Sequence, residues 1–69
     1  MKNEIINVLH DHGPMRQRVL ADFLHVWQAS ADLIKALYEL EKDGKIKRVP
    51  YSDPANMEYY NIWEYVKPA

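Results

Sequence analysis

Arg16, Gln17 and Arg18 stand together in this chain, and Lys45, Lys47 and Arg48 form a second basic group later in it. Guanidinium and ammonium groups grouped in this way bind phosphate, displacing the counterions of a nucleic-acid backbone. Between the two groups, Ala31, Lys35, Tyr38 and Lys42 recur at i, i+4, i+7 and i+11, the spacing of one helix face. That face carries base-reading chemistry: lysine can donate to guanine, and alanine can meet a thymine methyl. Gln28, which can pair with adenine, joins the face if the helix begins early. Asp32 and Glu39 flank it and repel phosphates unless they accept from cytosine.

Other chemistry is weaker. His10-Asp11-His12 has the residue types of a metal site, but side chains two apart on a helix point to nearly opposite sides. One ion would need a bend and His25 as a third ligand. The polar end of a helix, where histidine complements the negative dipole, accounts for the same residues. Without cysteine, disulfides, thiolate zinc sites and iron–sulfur clusters are excluded. The serines are Ser30, a helix cap by position, and Ser52, in a turn. Gly13 and Gly44 make no phosphate loop. No nucleophile, base and orienting group come together, so the sequence predicts neither an enzyme nor a cofactor.

The formal net charge of −1 opposes DNA binding unless the cations gather on one side. They are partitioned along the chain: residues 14–18 carry +2 and residues 45–48 carry +3, against −3 for residues 53–64. The aromatic residues of the last segment, Tyr59, Trp63 and Tyr65, are of the types enriched at protein interfaces and predict a contact with a protein partner or with a second copy of the chain in a homodimer.

The elements that must hold these groups follow from periodicity. Sixty-nine residues predict one domain over 1–69. Ile5, Val8 and Leu9 mark a first helix from Asn3, its cap, to His12, stopped by Gly13-Pro14. Met15-Arg16 has room for a very short strand. Val19, Leu20, Phe23 and Leu24 form the stripe of a second helix, Gln17 to Leu24, and residues 25–29 read as a turn. Leu33, Leu37 and Leu40, with Ala36 beside them, make the inward stripe of a third helix from about Ser30 to Asp43, and Gly44 ends it. Two strand-prone runs, Lys45 to Tyr51 and Glu58 to Val66, form a hairpin whose inward face stays open: Tyr60, Ile62 and Val66 on one side, Tyr59, Trp63 and Tyr65 on the other. The fold class is α+β, mostly α: a winged helix-turn-helix, with a three-helix core followed by a two-stranded β-hairpin wing. Pro68-Ala69 should be a frayed end. No apolar run spans a bilayer and no signal-peptide pattern is present, which predicts a cytoplasmic protein without membrane contact.

Met1-Lys2-Asn3-Glu4-Ile5, Leu20-Ala21-Asp22-Phe23-Leu24, Leu40-Glu41-Lys42-Asp43-Gly44, Arg48-Val49-Pro50 and Met57-Glu58-Tyr59-Tyr60 resemble, in order, the PapI/FaeA-like family of small winged-helix regulators of fimbrial operons. The resemblance implies transcriptional regulation through DNA binding beside a larger partner regulator. The chain departs from that pattern in a longer turn at His25 to Ala29 and in an acidic wing tip, Ser52-Asp53-Pro54-Ala55-Asn56. The passage from third helix to strand also resembles the FeoC-type winged helix, whose wing cysteines are absent here. The resulting expectation is a small regulator of double-stranded DNA. Its third helix, about 30–43, would face bases with Gln28, Ala31, Lys35 and Tyr38, while Arg16, Arg18, Lys47 and Arg48 hold phosphates; Gln17 and Lys42 complete the DNA-binding set. The alternative is a winged helix that binds protein through its aromatic, acidic wing.

Overall fold

Helix α1, Lys2–His12, turns Ile5 and Leu9 into the interior and exposes its polar residues. It starts ahead of the expected Asn3 cap: Ile5 N–H donates to the Met1 carbonyl at 3.1 Å, so Met1 takes the cap position. Gly13 ends it at φ 87° and ψ −175°, a conformation open to glycine alone. The computed structural model describes residues 1–68, so Ala69 of the expected frayed end lies outside the described residues.

After the two-residue strand β1, Met15–Arg16, the chain enters α2, Gln17–Leu24. Leu20 and Ala21 are its buried residues. Phe23, expected in the stripe, is instead 42% exposed and stacks on His12 with ring centroids 4.5 Å apart. Helix α2 closes with His25 in the left-handed conformation (φ 57°), where the Val26 N–H reaches back to the Ala21 carbonyl at 3.1 Å. The turn then leads to α3, Ala31–Lys42, capped by the Ser30 backbone without a side-chain bond. Leu33, Ala36, Leu37 and Leu40 are buried, as the leucine spacing predicts. Gly44, at φ 74°, completes the exit, and the Lys45 N–H donates to the Leu40 carbonyl at 3.0 Å.

Strands β2, Ile46–Asp53, and β3, Glu58–Tyr65, form the wing, with Ile46 opposite Tyr65 and Asp53 opposite Glu58. The loop is shorter than expected because β2 runs on through Ser52 and Asp53. Asp53 organises it, accepting from the Ala55 N–H at 3.1 Å and from Asn56 Nδ2 at 2.9 Å. Strand β1 pairs with the other edge of β3, Met15 opposite Trp63 and Arg16 opposite Ile62, so the sheet has three strands in the order β1-β3-β2 rather than two. Pro50 falls on edge strand β2, where a missing N–H is tolerated. The fold is the winged helix-turn-helix: three helices and an antiparallel hairpin, with β1 tying the hairpin to the helices.

Register settles the wing's inward face. Met15, Trp63 and Arg48 share one row, and Ile46 and Tyr65 the next row on the same face. Met15, Trp63 and Ile46 join the helical leucines in one apolar cluster, and Tyr65 packs against it. This corrects the expectation of Trp63 as an interface residue: at 6% exposure it is part of the core.

Candidate nucleic-acid interface

Strand β1 stops at Arg16 and the chain turns away into α2. Beyond that point Tyr60 and Asn61 of β3 have no strand partner on the β1 side. A cleft of about 380 Å³ opens there, lined by Arg16, Gln17, Arg18, Gln28, Arg48, Tyr60, Asn61 and Trp63. A hollow of about 180 Å³ adjoins it through shared Gln17, Arg48 and Trp63, adding Ile34, Leu37 and Tyr38 of α3. The two form a groove from the start of α2 to the middle of α3, between helix and wing.

Gln17 fixes one wall: its side-chain amide donates to the Gln28 carbonyl, fastening the turn before α3 to the start of α2. Arg16 lies over the Tyr60 ring, its guanidinium carbon 5.2 Å from the centroid, and Arg48 lies over Trp63 at 5.1 Å. Arg48 is also held in a fork by Glu41, with Nη2 donating to Oε1 at 2.7 Å and Nε to Oε2 at 3.1 Å. This pairing holds the Glu41 carboxyl below the usual glutamate value and raises the Arg48 guanidinium. The Glu39 carboxyl is likewise lowered, chiefly by its hydrogen bond from Lys2. One of the two carboxylates flanking the outer helix face is thus engaged with a lysine of α1, which leaves Asp32.

The expected site residues separate into three groups. Arg16, Gln17, Arg18, Gln28 and Arg48 line the cleft. Ala31, Lys35, Tyr38 and Lys42 are all exposed along α3, as their spacing predicts. Lys47 does not join them. It pairs with Glu64 at 3.6 Å, and strand alternation puts it on the opposite face of the sheet from its neighbour Arg48. Lys45 also lies elsewhere, beside Ile6, Tyr65 and Lys67. The second basic group therefore contributes Arg48 alone to the cleft, already bound to Glu41. Among the described residues, Arg16, Arg18, Lys35 and Lys42 make no ion pair.

The three expected interface aromatics do not gather either. Tyr59 is 75% exposed on the wing, whereas Trp63 is core and Tyr65 is half-buried, edge-on to His10 at 5.3 Å. His10 and His12 engage different partners, Asp11 and Phe23. Sequence reasoning missed Ile34, Tyr60 and Asn61. Ile34 lies three residues after Ala31 and four before Tyr38, in the same outward stripe, so its spacing carried the signal. The other two reach the cleft only because β1 ends where it does. Comparison with protein-family models finds no match, and comparison with curated proteins finds no significant one. Among the described residues no helix is long and apolar enough to cross a membrane.

Proposed function

We propose that this chain is a small DNA-binding regulator that lays the outer face of α3 in the major groove and holds the flanking backbone at the start of α2. The observation that carries this reading is the placement of Arg16 and Arg18, without an ion pair among the described residues, beside an α3 face that exposes Ala31, Lys35 and Tyr38. A helix presented in this way reads base edges, and cations beside it neutralise phosphates. Arg48, stacked on Trp63 and forked by Glu41, acts as a strut between α3 and the wing more than as a free phosphate ligand. On this reading the protein acts in transcriptional control, as the resemblance to the fimbrial regulators implies.

The alternative of a protein-binding wing loses its central anchor with the burial of Trp63. The test is fluorescence anisotropy with a labelled duplex of about two helical turns at low salt. Saturable binding that added salt weakens supports the proposal. Absence of binding at low salt contradicts it.

A further inference from the structure

Ile34 is 49% exposed and Tyr38 62% exposed, one helical turn apart on α3. Neither belongs to the apolar cluster of the core or to the residues packed against it. Ala31 is exposed one turn before Ile34. Together they make a narrow apolar strip on a helix whose outer face is otherwise charged, and Lys35 stands inside the strip with no ion-pair partner among the described residues. The hollow beside it is walled by Gln17 and Arg48. Gln17 is uncharged and Arg48 is neutralised by Glu41, so the open charge at the strip is the cation of Lys35, and a surface that is anionic and offers small apolar groups at the spacing of a helix turn complements it. In the major groove of DNA one group meets that description, the C5 methyl of thymine.

We infer that Ile34, with Ala31 and Tyr38, reads thymine methyl groups, so that the preferred sites are duplexes with thymines under the middle of α3. This rests on the DNA-binding reading and narrows it. Lysine at position 35 supplies a donor for a neighbouring guanine or phosphate, while Ile34 supplies discrimination that hydrogen bonds do not.

The experiment is selection from a pool of duplexes with a randomised centre, followed by replacement of each thymine of the enriched site by deoxyuridine, which removes only the methyl. Each contacted methyl should be worth about fourfold in affinity, the equivalent of one buried methylene-sized group. Ile34→Ala should weaken the preference for thymine over deoxyuridine at the position under residue 34, leave it in place at the others, and keep the wild-type dependence on salt. Ile34→Val, which retains part of the surface, should keep part of the discrimination, and circular dichroism on both variants checks the fold. Equal binding of thymine and deoxyuridine duplexes by the wild type, or bound DNA with no enriched sequence, overturns this inference while leaving DNA binding intact. No binding to the pool at low salt overturns both. Tight binding of an acidic amphipathic peptide through Ile34, with no sequence preference on DNA, overturns the inference in favour of a protein partner.

Discussion

Replacing Arg16 and Arg18 together by alanine should flatten the salt dependence of DNA binding by about half. Among the described residues, the four cations free of ion pairs near the start of α2 and on α3 are Arg16, Arg18, Lys35 and Lys42. If each neutralises one phosphate, log affinity falls with log salt at a slope of about −3.6, from about −0.9 per contact. Between about 50 and 200 mM salt that is a loss of about 150-fold. With two contacts gone, the slope becomes about −1.8 and the loss over the same range about 12-fold. Both arginines are at least partly exposed, so the substitution leaves the core untouched. The assay is anisotropy of a labelled duplex over a salt series, for wild type and the double variant. A slope unchanged by the double substitution refutes the placement of the backbone contacts at α2. A wild-type slope near −5.4 would show that Lys47 and Arg48 also reach phosphates, against the ion pairs that hold them here.

Glu41→Gln should release Arg48 to the cleft and steepen the same slope by about 0.9, a change that anisotropy resolves. Because Glu41 and Glu39 are both held below the usual glutamate value, their pairings contribute stability that is fully present above that value and is lost as pH falls through the lowered one; urea midpoints compared at neutral and acid pH should show the loss, and Glu41→Gln should reduce it. Leu37→Ala empties a fully buried site in α3 and should cost about 2–5 kcal/mol, against a total of about 3–10 kcal/mol for a chain of this length, so denaturant unfolding should find the variant marginal or unfolded. His25→Gly should raise stability by about 0.5–1 kcal/mol, since the left-handed conformation that strains histidine suits glycine, and a higher thermal midpoint without change in DNA affinity would confirm it.

The helices were legible because their signals are local. Leu33, Leu37 and Leu40 alone specify the buried face of α3, and by subtraction they expose Ala31, Lys35, Tyr38 and Lys42. Gly13 and Gly44 mark the helix ends for the same reason, each holding a positive φ. The wing was legible only as a hairpin. Both sides of β3 are rich in aromatic and β-branched residues, so pattern could not choose between Trp63 and Ile62 for the core. The choice is made by the pairing of Met15 with Trp63, a contact across most of the chain. The basic strand misled in a related way. Lys47 and Arg48 are neighbours in sequence but lie on opposite faces, and their carboxylate partners come from β3 and from the last turn of α3. Such pairings depend on tertiary register, which a run of charges does not reveal. Phe23 left the core because His12, from another helix, offers its ring a stacking surface outside it.

The most direct test of the central claim is an amide-shift titration of the folded domain with a short random duplex at low salt. The largest shifts should fall at Arg16 to Arg18 and at Ala31, Ile34, Lys35 and Tyr38, with the wing tip around Asp53 to Glu58 nearly silent. Shifts confined to the wing, with α3 unmoved, would contradict it.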